Sequence, residues 1–391
     1  MLRKTTVWIM AVTGGMVVAN NYYNQPLLVE FAHTFGVTEK AAGPVAALTQ
    51  FGYAVGMLLF LPLSDMFERR RMIRLLLLAA TLALIATALS PSIHWLIVAG
   101  FAVGFTSVVP QLVTPFAAQL ADPKERGSVV GIVMGGLLTG ILLSRTIAGF
   151  VGAHLGWQAM YWIAAGLMVV LFFVLGRTLP QGPPTFEGSY GSLLKSLAEL
   201  VRTQPVLRET SLVAALQFAA FSAFWTTLVF HLHSFPEQYG SDVAGMFGVI
   251  GVLGAMAAPY AGKLSDRTGA RLTVMLSSIV FVLAFLAFAA FGYGLVGLAF
   301  GVVLLDLGMQ SGHVSNMTRN FALKKEAMGR VNTVYNVTRF LGGGIGSVVG
   351  NVAWSHWRWP GVCAMGVVLC LLAVAVQLYY GRRYAAAAPA Q

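Results

Sequence analysis

Three formal charges interrupt long apolar stretches of the sequence: Arg145, Asp306 and Arg339. A charge held at bilayer depth costs about 2.5 to 3.5 kcal/mol on an insertion scale, so each needs a partner or water. If the stretch carrying Asp306 descends from the outside and the next one returns, Asp306 and Arg339 both lie roughly 16 to 18 Å below the outer boundary. The two are expected to pair, with Arg145 higher, where it can meet an anionic group or cap carbonyls. An acid ionised beside a guanidinium, and separated from it in a drier setting, gains affinity for a proton. That is the chemistry Asp306 could supply, with His313, two turns away on the same face, as a relay. The alternative is a permanent structural ion pair with His313 as a hydrogen-bonding packing residue.

Uncharged polar residues recur inside other apolar stretches. Asn20, Asn21, Asn24 and Gln25 come first, then Ser107, Gln111 and Thr114, then Gln217 and His231, then Gln310 beside Asp306 and His313. Polar faces at membrane depth line a wet cavity or bond helix to helix, and for a single Asn or Gln both readings stand. Recurrence in every third stretch favours a cavity, with Asn20, Tyr23, Asn24, Gln111, Gln217, Trp225 and Gln310 as candidate solute contacts. Tyr22, Tyr23, Phe221, Phe224 and Trp225 can stack on a solute, although interfacial belts and packing also use such rings. No phosphate-binding G-x-x-x-x-G-K-[ST] occurs, and no H-E-x-x-H. His231 and His233, two residues apart, diverge on a helix. Neither a metal, nor another cofactor, nor enzymatic chemistry is expected.

The elements that hold these groups follow from composition. Of 391 residues, 57% are hydrophobic and 10% charged, against roughly 25% charged in soluble domains. A spanning helix needs about 20 mostly apolar residues. Twelve such spans are expected, near 7–28, 41–62, 72–89, 94–120, 128–152, 159–179, 206–230, 244–261, 272–291, 295–320, 330–353 and 360–380. The net charge of +11 does not point to nucleic acid, because Lys and Arg follow topology. With the amino terminus inside, all except Lys40, Arg358, Arg145 and Arg339 fall on cytoplasmic segments, and both termini are cytoplasmic. The first apolar stretch is of full length and carries no cleavable signal. Cys363 and Cys370 share the last span, about 10 Å apart along its axis, and cannot bridge within it. The long break at 180–205 begins with linker-like PQGPPTFEGSYGS and ends with LLKSLAELVR, an expected amphipathic surface helix.

The sequence repeats. Leu63-Ser64-Asp65 recurs as Leu264-Ser265-Asp266, Lys124-Glu125 recurs as Lys325-Glu326 at the same spacing, and Trp157 has a counterpart in Trp357 one residue short of it. Two six-helix bundles, 1–179 and 206–391, are therefore expected around a site near the midplane. Within each half, spans 2, 5, 8 and 11 carry small residues at four-residue spacing, such as Gly136, Gly140, Ser144, Ala148 and Gly152, or Gly342, Gly346 and Gly350. Such stripes let helix backbones approach closely. Spans 3, 6, 9 and 12 are nearly uniformly apolar and should face lipid.

At Gly262 to Arg271, GKLSDRTGAR resembles the loop signature of the major facilitator superfamily, G-x-L-x-D-R-x-G-x-[RK]. An earlier copy, LPLSDMFERR from Leu61, keeps Leu63, Asp65, Arg69 and Arg70 but has Leu61, Met66 and Glu68 in place of Gly, Arg and Gly. The resemblance implies a cytoplasmic latch or gate built from Asp65, Arg69, Arg70, Asp266, Arg267 and Arg271; charges that only fix topology are the alternative. Span 5 resembles the superfamily's antiporter signature through Gly131, Gly140, Ser144, Ala148 and Gly149, with Arg145 replacing its proline. Gly100 stands where many proton-coupled exporters have a basic residue. The resemblance covers essentially the whole chain and is similar to bacterial proton-coupled exporters of drugs, sugars and metabolites. It implies a multi-pass inner-membrane protein that moves a small solute by alternating access coupled to protons; the charges within the apolar stretches nominate Asp306, Arg339, Arg145 and His313 for that coupling, and two halves that complete one transport unit make a monomer the expectation. A proton-coupled importer or passive facilitator of the same fold is the main alternative, and a membrane-embedded enzyme a remote one.

Overall fold

The computed structural model describes residues 4–122, 124–182, 188–256, 260, 267, 269–323 and 327–387. Among the described residues the ordered structure is helical: α1 (Lys4–Ala19), α2 (Leu28–Phe35), α3 (Glu39–Ala42), α4 (Pro44–Leu63), α5 (Arg69–Ala88), α6 (Ile93–Thr106), α7 (Val109–Leu120), α8 (Arg126–Leu155), α9 (Trp157–Thr178), α10 (Tyr190–Thr203), α11 (Pro205–His233), α12 (Ser241–Ala255), α13 (Ala270–Phe291), α14 (Leu295–Phe321) and α15 (Met328–Ala387). Nine stretches among these residues are long and apolar enough to cross a membrane. The expected spans 41–62, 94–120, 128–152, 206–230, 272–291 and 295–320 each lie within one of the nine, and 72–89 and 159–179 run one residue past theirs. Spans 330–353 and 360–380 fall on either side of Arg358, whose φ of 51° breaks α15 just before Pro360.

The chain forms two compact units, Met1–Lys195 with Leu228–Gly248, and Ser196–Thr227 with Val249–Gln391. Small residues determine which helices meet inside each. In the first unit a side chain at Gly136 or Gly140 of α8 would collide with the α1 backbone at Ala11 or Gly15, and one at Gly52 or Gly56 of α4 with α6 at Phe101 or Phe105. In the second, Gly342 and Gly346 of α15 meet the α11 backbone at Ala215 and Ala219, and Gly254 of α12 meets the Val303 carbonyl of α14. Spans 1 and 5, and spans 2 and 4, thus make the same kind of contact in the first unit as spans 7 and 11, and spans 8 and 10, do in the second. The repeat seen in short motifs is also a repeat of glycine-mediated packing.

The apolar helices behave as expected of a lipid-facing surface. Leu75, Leu78 and Leu82 of α5, Val170 and Phe173 of α9, Leu283 and Leu286 of α13, and Leu371 and Leu372 of α15 are exposed. On α10, Leu193, Leu197 and Leu200 are buried at helical spacing while Lys195 and Glu199 are exposed.

Two of the expected polar spans are not continuous helices among the described residues. Span 1 unwinds between α1 and α2, where the amides of Asn20, Asn21 and Tyr22 donate to carbonyls three residues back, as do those of Gln25 and Leu27. Pro26 can donate no such bond, and it disfavours helical geometry at Gln25. Span 4 is interrupted at Ser107 and Val108, just ahead of Pro110.

Candidate functional site

Both interruptions fall on the polar residues, and they meet. In the first unit the Asn20 amide nitrogen donates to the Ser107 hydroxyl at 3.2 Å, so the unwound part of span 1 touches the break in span 4. Next to it Asn24 donates to Thr49 of α4 at 3.1 Å, and Gln111 of α7 donates to the Tyr53 hydroxyl at 3.3 Å. The carboxamide oxygens of Asn20, Asn21, Asn24 and Gln50 are buried without a hydrogen-bond partner among the described residues. Irregular backbone at membrane depth persists where it lines a cavity or is enclosed by protein, and broken helices build solute and ion sites in transporters. Unmatched buried acceptors are costly, and a solute or water carrying donors would satisfy them. Tyr23 is buried in the same segment.

Arg145 of α8 is 1% exposed and borders this segment. Its Nε donates to Gln25 at 2.7 Å, one terminal nitrogen reaches the Ile141 carbonyl at 3.4 Å, and its guanidinium lies 4.7 Å from the Tyr22 ring centroid. It thus reaches a carbonyl of its own helix and ties span 5 to the unwound part of span 1. Gly100, at the place of the missing basic residue, faces the α4 chain, where a side chain would come within 3.1 Å of the Thr49 hydroxyl. Helix contact fills that position.

In the second unit Asp306 and Arg339, the expected partners, have different neighbours in view. Ion pairs seen among the described residues include Arg69–Asp65, Arg271–Glu209 and Arg319–Glu209. Asp306 is buried on α14 against α12, so that a side chain at Gly251 would come within 2.8 Å of its Oδ2. Arg339 of α15 instead lies 4.3 Å from the Phe218 ring centroid and 5.5 Å from that of Phe340. Helical rise gave the two residues similar depths, but depth says nothing of the direction in which each helix turns its side chain. His313 hydrogen-bonds through Nδ1 with the Tyr335 hydroxyl at 3.0 Å and stacks on that ring, so α14 presents its acid and its imidazole to different neighbours.

Among the remaining candidates, one has a helix-to-helix contact in view. Gln217 of α11 donates to Ser277 and Ser278 of α13, both at 3.0 Å, which accounts for its polarity without a solute. Trp225 is buried among Phe221 and Phe224, with ring centroids 6.1 and 5.4 Å away. Gln310 is half-buried on α14.

The residues of the first motif copy bond to one another and to neighbouring helices of the first unit. Arg69 pairs with Asp65 at 3.0 Å and also bonds Gln119, and Arg70 donates to the carbonyls of Leu179 and Gly176. Glu68, a departure from the family pattern, caps α5 by accepting from the amides of Arg70 and Arg71, at 3.0 and 2.8 Å, and accepts from Gly182 at 3.2 Å. In the second copy Asp266 lies outside the described residues, Arg267 is exposed, and Arg271 donates to the Gln377 carbonyl at 2.6 Å.

Sequence reasoning missed Glu209. It is fully buried on α11, with Arg271 at 3.6 Å and Arg319 bonded to its other oxygen. It lies in the first turns of its span, and no pattern in the sequence joins it to arginines on two other helices.

Broken polar spans, small-residue helix contacts and an apolar exposed surface define a multi-pass helical membrane protein of the transporter class. The description Major Facilitator Superfamily matches residues 10–347, and the chain belongs to that superfamily. It is 37% identical over 371 residues to the protein named as transporter YgaY of Escherichia coli (strain K12), covering 95% of this chain and 94% of that one. It is 34% identical to a protein of Streptomyces coelicolor that is also named as a transporter, over 91% and 83% of the two chains. Its fold is similar to that of a bacterial homologue of the human lysosomal transporter Spinster in an inward-facing, unoccupied conformation, with TM-score 0.77, 14% identity and 99% of both chains covered. A D-xylose-proton symporter matches with TM-score 0.75 at 14% identity, over 94% and 97% of the chains.

Proposed function

We propose that this chain exports a small solute in exchange for protons by alternating access, with twelve spans, both termini in the cytoplasm, and six-helix bundles at 1–179 and 206–391 joined by 180–205. The observation that carries the reading is the meeting of two helix breaks at Asn20 and Ser107, because a transporter needs polar backbone and side chains at membrane depth where a solute can reach them. The seat is neutral and rich in amides, with unmatched acceptors that suit a hydroxyl-bearing or amine-bearing solute and Arg145 at its border for an anionic group. Asp306 is the proposed proton carrier. Its packing against Gly251 and Gly254 supports this, since a carboxyl squeezed between helices changes hydration when they part. His313, already engaged with Tyr335, is assigned a positioning role. The protein acts as a monomer in the bacterial inner membrane and catalyses no covalent chemistry.

Import is the second reading, supported by the likeness of fold to a protein titled a D-xylose-proton symporter; fold alone leaves direction open. Inside-out vesicles with an imposed pH gradient, challenged with sugars, drugs and organic acids, separate the two. Export predicts that at least one compound dissipates the gradient only when the chain is present. Solute-driven acidification of right-side-out vesicles, with no effect in the inverted ones, would establish import instead.

A further inference from the structure

On the first unit, at the end opposite the Asp65–Arg69 latch, a cavity of about 670 Å³ is lined by residues of α2, α3, the α8–α9 junction and the 228–248 segment. By the charge distribution of the loops this end faces outward. Glu30 of α2 sits in its wall. The carboxylate faces the hydroxyl and backbone amide of Ser241, the first residue of α12, and burial raises its proton affinity above the ordinary carboxylate value. Its Oε2 is buried without a hydrogen-bond partner among the described residues. The attraction to Ser241 is what a helix N-terminus offers an anion, but burial outweighs it here.

The 228–248 segment docks closely on this region. Ser241 donates its hydroxyl to the Gly149 carbonyl at 3.1 Å, and Thr146 donates to the Gly245 carbonyl at 2.7 Å. A side chain at Gly245 would come within 2.6 Å of the Arg145 carbonyl, and one at Gly248 within 2.8 Å of that of Leu142. Docking therefore places α12 beside Glu30 and removes water from the acid. The other titratable groups around it are His33 on α2, Glu39 on α3, and His233 at the end of α11, all of which line the cavity. His233 lowers the proton affinity of Glu30. Asp242, next to Ser241, turns its carboxylate to the Val243 amide at 2.8 Å.

We propose that Glu30 takes up a proton from the outer side as the 228–248 segment docks on α2 and α8, making it a coupling residue separate from Asp306. The inference rests on the alternating-access reading, in which this docking closes the outer end, but it does not depend on which solute moves. The open cavity gives protons a path to the acid. A carboxyl with higher proton affinity docked than undocked favours docking as pH falls, and that advantage is lost as pH rises through the docked-state value.

The test is a distance measurement between spin labels at Gln158→Cys and Glu237→Cys in the full chain in lipid nanodiscs, across the acidic to neutral range and without solute. The docked population should rise as pH falls in the parent, become independent of pH in Glu30→Gln, and keep a pH response in Glu30→Asp. In His233→Gln the midpoint should move to higher pH. The same pH response in Glu30→Gln as in the parent, or none in the parent, overturns the proposal. Because no transport is measured, a pH response lost in Glu30→Gln alone would stand even if solute movement proved not to be proton-driven.

Discussion

Glu209 shows what one buried charge demands. With no exposure and arginines on two other helices as its counter-charges, it ties α11 to α13 and α14. Removing one partner of a buried ion pair costs about 3 to 5 kcal/mol, because the remaining charge stays desolvated. Glu209→Ala should lower the unfolding midpoint of the detergent-solubilised protein markedly; Arg271→Ala should do so less, since Arg271 is 42% exposed. Arg145 makes a smaller case. Gln25→Leu removes its 2.7 Å charge-assisted bond, typically worth about 1.5 to 3 kcal/mol, and should reduce thermal stability by that order. At this scale the sequence was legible in the kind of residue and illegible in its direction. Asp306 and Arg339 are both present and similarly deep, yet one turns to Gly251 and the other to Phe218. Glu209 was hidden because its partners are 62 and 110 residues away along the chain (271 − 209 and 319 − 209).

Elements were read more successfully, because hydropathy and glycine spacing are local signals. The stripes at Gly136–Gly140 and Gly342–Gly346 identified helices that touch through backbone. At such points a β-branched residue has nowhere to go: Gly140→Val should abolish accumulation of folded protein in the membrane, whereas Gly131→Ala, where a methyl group meets open space, should leave it unchanged. The break in span 1 was not anticipated, although Pro26 following a run of Asn and Tyr carried the signal. A purely hydropathic reading runs across it, since Tyr22, Tyr23, Leu27 and Leu28 keep the segment buried. Converting Asn20 to Ala removes the Ser107 contact without altering the backbone break. It should impair solute transport far more than it impairs folding, which parallel transport and thermal-unfolding measurements on the same preparation would show.

For the molecule as a whole, sequence motifs and the spacing of small residues supplied the fold family, and the family supplied the class of function. Direction and coupling depend on how a few protonatable groups change surroundings during a cycle, which neither hydropathy nor motif spacing encodes. The account assigns proton carriage to Asp306 and solute contact to the broken segments around Asn20 and Ser107. The most direct test is solute-driven proton movement in proteoliposomes containing purified parent protein or Asp306→Asn, under an imposed pH gradient and with a solute the parent recognises. The account predicts that the parent couples the two fluxes, and that Asp306→Asn still exchanges solute across the membrane but no longer moves protons with it. Undiminished proton-coupled accumulation by Asp306→Asn would contradict it.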